Sequence, residues 1–187
     1  MQIRNSQIRY GAAAQWLHWI VVALIVTQFV LASQAEDATS PLRKLSILAT
    51  HKSVGMTVLT LAVLRLIWRL VNPVPAAPSA MPRWQRIASV VAHWALYALI
   101  LLTPLMGWMM SSFKNYPVSY FKLFTFPDLV APNEALFEAS KALHKVLAGS
   151  MFSVAVLHIL AALKHHFVDK DDVLRRMLPI KLRSDKQ

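Results

Sequence analysis

Four stretches of this chain run for about 20 residues or more with few charges: 12–32, 49–70, 87–110 and 143–167. A helix of that length, rising 1.5 Å per residue, crosses the ~30 Å hydrocarbon layer of a bilayer. Lipid offers the backbone no hydrogen-bond partners, so each stretch must satisfy its own amides as an α-helix. The composition agrees: 56% of residues are hydrophobic and only 16% are charged, against about 25% in soluble domains. The expected fold is all-α, a transmembrane four-helix bundle running up-down-up-down, with residues 1–187 forming one integral-membrane domain. The first stretch is expected to be a retained span. Its apolar run exceeds the 7–15 residues of a secretory signal, and cleavage would discard His18.

Charge then sets the orientation. The net charge of +11 would suggest nucleic acid in a soluble protein, but here the basic residues flank apolar segments, so no nucleic-acid partner is expected. Thirteen Lys and Arg fall on one side: Arg4, Arg9, Arg65, Arg69, Arg83, Arg86, Lys164, Lys170, Arg175, Arg176, Lys181, Arg183 and Lys186. Seven fall on the other: Arg43, Lys44, Lys52, Lys114, Lys122, Lys141 and Lys145. The positive-inside rule puts the richer side in the cytoplasm, so both termini are expected there. The connection over 72–82 carries four prolines that stop helices. The one over 114–140 is too long for a simple turn and is expected to fold back over the bundle.

The histidines carry the chemistry. His144 and His158 lie fourteen residues apart, which is four helical turns less about 40°, so both leave one face about 21 Å apart along the axis. With the orientation above, His18 begins the first span at the cytoplasmic side, where His158 also lies. His51 begins the second span at the outer side, level with His144. Imidazole is a good axial ligand for haem iron, and two close both axial positions. Intramembrane ionisable residues are expensive and mark function. The chain has no cysteine, which excludes thiolate sites, iron–sulfur clusters and covalent haem attachment. The expectation is two non-covalent haem b groups, bis-histidine ligated, the inner by His18 and His158 and the outer by His51 and His144.

Neighbouring residues leave alternatives open. Arg65 and Arg69 end the second span on the inner side, as topology anchors or as partners of haem propionates. Gly55, one turn after His51, either lets helices pack or lets a porphyrin lie close. Lys52 and Lys145 follow the outer ligands directly. With Lys141 they either meet lipid headgroups or attract a small anion. His165 shares a face with His158 and is placed between the inner haem and the lipid boundary, where a quinone approaches. His166 is expected at the interface, His93 as a core contact. Pro104 and Gly107 point to a kink in the third helix.

Leu17-His18-Trp19, His51-Lys52-Ser53-Val54-Gly55, Arg65-Leu66-Ile67-Trp68-Arg69, Ala92-His93, Pro104-Leu105-Met106-Gly107, Lys141-Ala142-Leu143-His144, Leu157-His158 and His165-His166 occur in that order over nearly the whole chain. This ordered set resembles the prokaryotic cytochrome b-561 family, especially its superoxide-oxidising members. The resemblance implies a multi-pass dihaem cytochrome b of the bacterial inner membrane that oxidises superoxide on the periplasmic side and reduces ubiquinone. It implies that Lys141 stands beside the outer haem ligand, with Lys52 as a further catalytic candidate, and that His165 stands at the quinone end. The alternative is a cytochrome b subunit relaying electrons between quinone and a partner dehydrogenase or hydrogenase. The expected partners are the lipid bilayer, superoxide, ubiquinone and, under the alternative, a redox protein.

Overall fold

The computed structural model describes residues 2–79 and 81–179; Lys181, Arg183 and Lys186, used above for orientation, lie outside them. Four helices are long and apolar enough to cross a membrane: α1 (Ala12–Asp37), α2 (Pro41–Val71), α3 (Arg83–Phe113) and α4 (Glu134–Phe167). All four overrun the stretches read from hydropathy, because local signals past the apolar runs still favour helix. Pro41 occupies the first turn of α2, where its missing N–H costs nothing. Asn133 caps α4, its side-chain oxygen accepting from Leu136 N at 3.0 Å, and Glu134 adds negative charge to the first turn. α3 continues through Pro104.

Contacts fix the bundle as antiparallel from neighbour to neighbour. Arg65 near the end of α2 reaches Ala14 at the start of α1. Arg69 of α2 lies over Trp94 and Tyr97 of α3. Thr103 of α3 meets His144 of α4. Phe29 and Phe152 join α1 to α4 with ring centroids 5.4 Å apart. Among the described residues the largest fully buried side chains are polar or small: Gln15, Ser53, Ser111 and Ser112. Large apolar side chains such as Ile20, Val26, Leu64, Val91, Leu157 and Leu160 point outward. That inversion suits a bundle in lipid, where helices gain from close backbone approach and buried hydrogen bonds rather than from hiding apolar surface.

One end of the bundle, here the hairpin end, is covered by the long connection, as expected. Within it β1 (Val118–Tyr120) pairs antiparallel with β2 (Phe124–Phe126), Ser119 opposite Thr125. Phe121 and Lys122 make the turn with φ of 47° and 63°, a left-handed geometry uncommon for such side chains. Ser53 of α2 holds it: its hydroxyl accepts from Phe121 N at 3.0 Å and lies 2.9 Å from Ser119 O. Trp108 donates to Pro127 O and Leu129 N donates to the Ser112 hydroxyl, so α3 pins the far side.

The opposite, terminal end is knitted by the chain's first and last described segments. Asn5 donates to Pro73 O. The tail folds back onto α1, with Gln15 Nε2 donating to Arg176 O at 3.1 Å and Trp19 Nε1 to Met177 O at 2.9 Å. Arg176 in turn donates to Ala76 O.

Candidate functional site

The antiparallel packing gathers the histidines into two levels. Near the terminal end, the rings of His18 and His158 have centroids 6.5 Å apart and planes at 77°. Near the hairpin end, those of His51 and His144 are 6.4 Å apart at 75°. A metal about 2 Å from one nitrogen of each imidazole sets the ring centroids about 6 Å apart. Both spacings fit a single iron held between two rings. His93 also reaches the first level, but its ring lies 5.2 Å from that of His158, too close for the two rings to face one metal from opposite sides. Its Nδ1 is 2.5 Å from Ser89 O in its own helix, the core contact expected of it.

His144 is the best oriented of the four. Its Nδ1 donates to the Thr103 carbonyl of α3 at 2.9 Å, which fixes the tautomer and leaves Nε2 as the nitrogen available to a metal. His51 Nδ1 is buried without a hydrogen-bond partner among the described residues, as is Gln28 Oε1. A Cβ at Gly55 would come within 2.8 Å of Gln28 Nε2. The space left by the missing side chain is therefore filled by the one amide side chain in the middle of α1.

Arg65 and Arg69 face a pocket at the terminal end, lined with Asn5, Tyr10, Ala14, Trp68, Val74 and Tyr97. Arg65 donates to Ala14 O at 2.9 Å, while Arg69 stacks on Trp94 and Tyr97 at 5.8 and 5.6 Å. Neither guanidinium meets a carboxylate among the described residues, and Trp68 Nε1 is buried without an acceptor. A pocket with two guanidinium groups and an unpaired indole N–H suits carboxylates such as haem propionates. In the sequence Trp68 stands out only as part of the motif Arg65-Leu66-Ile67-Trp68-Arg69, where its place between two arginines is the signal of this pocket.

The lysines of the hairpin end do not form one open cluster. Lys52 Nζ lies 3.4 Å from the carbonyls of Tyr116 and Pro117 and 5.6 Å from the Tyr116 ring centroid, so it clasps the connection over the His51 level. Lys141 pairs with Glu138 at 3.2 Å and Lys145 with Glu36 at 3.6 Å. Both pairs are well exposed, and such pairs leave the cations largely solvated. Lys114, at the end of α3, is held above the ordinary lysine range by its hydrogen bond to Glu134.

His165, expected at the quinone end, lies beneath the tail. The tail covers it: Nδ1 meets Asp171 Oδ2 at 2.7 Å and Asp169 Oδ2 at 3.2 Å, and the side chain is 13% exposed. Asp171 is held in turn, its amide donating to His165 O and its Oδ1 accepting from Val173 N. Nothing in the hydropathy of residues 169–179 signals this, because the cover is made by two carboxylates and, farther along, by backbone carbonyls that meet α1.

Known proteins give the same outline. The pattern of the prokaryotic cytochrome b561 family matches residues 9–179. The chain is 33% identical to cytochrome b561 homolog 2 of Escherichia coli (strain K12) over 184 residues, covering 95% of each. It is 31% identical to the probable superoxide oxidase CybB of Yersinia pestis over 177 residues, 92% of this chain and 97% of that one. It is 27% identical to cytochrome b561 homolog 1 of E. coli, over 91% of this chain and 97% of the relative. With four membrane-crossing helices and a match over most of its length, the chain belongs to the prokaryotic cytochrome b561 family, as a multi-pass haem-binding electron-transfer protein of the bacterial inner membrane.

Proposed function

We propose that this chain is a dihaem b-type oxidoreductase that takes electrons from superoxide at the periplasmic face and delivers them to ubiquinone at the cytoplasmic face. The observation that carries this reading is the pairing of His18 with His158 and of His51 with His144, at centroid spacings of 6.5 and 6.4 Å at the two ends of one bundle. The positive-inside rule assigns the terminal end to the cytoplasm and the hairpin end to the periplasm. The likeness to the probable superoxide oxidase of Yersinia pestis suggests the donor. Each superoxide gives up one electron and leaves as dioxygen; a quinone takes two electrons and two protons, so two superoxides serve one quinol.

When bound, the two haems supply the one-electron relay between the faces. The residues around them bind, orient and steer. His18 with His158, and His51 with His144, would each hold an iron by two imidazoles, a ligation that favours electron transfer over oxygen binding. Arg65, Arg69 and the Trp68 N–H receive propionates at the terminal end. Lys141 keeps a solvated positive charge on the first turns of α4, within one turn of His144, and draws a small anion toward that level. Lys52 holds the connection in place above His51. Asp171 commits His165 Nδ1, so Nε2 is the nitrogen that meets a quinone oxygen.

The test is a redox titration on the purified ferric protein. Added superoxide should reduce the haem, and added ubiquinone should then reoxidise it. Absence of superoxide-dependent reduction, or reduced haem that quinone leaves untouched, would contradict the assignment.

A further inference from the structure

Gly107 sits on α3 one turn after Thr103, on the side of the helix that meets α4. A Cβ built there would stand 3.1 Å from His144 Cε1 and 3.3 Å from its Nδ1. In a helix each Cα–Cβ bond tilts toward the N-terminus, so a side chain at 107 would cover the carbonyl at 103. That carbonyl is the one His144 Nδ1 donates to, at 2.9 Å. It has two lone pairs and can accept the imidazole in addition to its usual in-helix donor. Alanine would be the better residue at 107 on helix propensity alone. The neighbouring helix interior is already disfavoured by Pro104. A glycine here therefore has a local reason, the His144 ring.

We infer that Gly107 and the Thr103 carbonyl form a cradle that sets the position and the ligand strength of His144, so that Gly107 is a positioning residue for the haem at the hairpin end. The inference rests on the reading that His144 is a haem ligand. A hydrogen bond from Nδ1 to a carbonyl makes the imidazole a more basic ligand, and a more basic ligand favours the ferric state. The cradle thus holds one haem's potential below the value it would have with an unanchored histidine. A methyl group at 107 would push the ring by a few tenths of an ångström and weaken the bond; a larger side chain would expel it. Gly149 of α4, whose missing side chain faces nothing within 4 Å, provides the matched glycine control.

The experiment compares Gly107→Ala, Gly107→Val, Gly149→Ala and His144→Ala, each purified from membranes and scored by haem-to-protein ratio, redox titration and low-spin electron paramagnetic resonance. His144→Ala should lose one haem of two; retention of both would overturn the ligand reading itself. Given that loss, Gly107→Ala should raise the midpoint of one haem and alter one resonance signal, leaving the other haem at its wild-type values. Gly107→Val should lower the haem ratio from two to one. Gly149→Ala should match the wild type throughout. Unchanged midpoints in Gly107→Ala with both haems kept in Gly107→Val would overturn the cradle alone, as would equal shifts of both haems.

Discussion

At His158 three imidazoles share one level, yet of its two neighbours only His18 stands at the spacing of rings that face one iron from opposite sides. The ring of His93 is 5.2 Å from that of His158, against 6.5 Å for His18. Truncation of His158 should therefore remove one haem, while His93→Ala keeps both; pyridine haemochrome assay of the purified variants checks this, and loss of a haem in His93→Ala would reassign the ligand. Lys141 is a second case of position deciding role. Its partner Glu138 is itself exposed, so the lysine still acts on approaching ions. Lys141→Glu should slow haem reduction by superoxide severalfold at low salt. The difference should shrink once the Debye length falls to about 8 Å near physiological ionic strength. A rate that ignores both the substitution and the salt would remove steering from the picture. The two histidine levels were legible in the sequence because helical phase and span polarity are enough to set them. The settings of Gly55 and Gly107 were not legible, since which neighbour fills a missing side chain is decided by packing between helices. Gln28 fills one and His144 presses on the other.

Among the elements, the helices follow from hydropathy but their ends do not. α4 starts at Glu134, well before its apolar run, because Asn133 caps it and Lys114 bridges to Glu134. The β1–β2 hairpin left no sequence signature at all. Its turn is Phe121-Lys122 rather than the Asn-Gly or Asp-Gly that left-handed turns favour, and its geometry is imposed from α2 by one buried hydroxyl. Ser53→Ala should leave Phe121 N–H and Ser119 C=O short of partners, at a cost of about 1–3 kcal/mol. Lower thermal stability and faster proteolysis between 120 and 124 would register the loss; a hairpin as resistant as wild type would mean that Trp108, Ser112, Lys52 and the Thr57–Tyr120 contact hold it without Ser53. The tail behaves likewise: Gln15, fully buried, and Trp19 bind its carbonyls, a form of docking that composition cannot reveal.

Across the whole molecule, the four described spans bring the start of α1 and the end of α4 to one end, and the positive-inside rule predicts that this end is cytoplasmic. A reporter fused after Gln187 should be active only as a cytoplasmic reporter, and one inserted in the 121–123 turn only as a periplasmic one; the reverse pattern would exchange the faces and with them the donor and acceptor sides. The axial separation of the two histidine levels, about 21 Å, exceeds half the hydrocarbon thickness, so a group at each level spans most of the barrier. The most direct measurement is haem stoichiometry, with the ferrous spectrum, on the isolated full-length chain. Two haem b per polypeptide, both six-coordinate and low-spin, is the expected result. One haem or none, or a five-coordinate high-spin spectrum, would contradict the pairing of His18 with His158 and of His51 with His144.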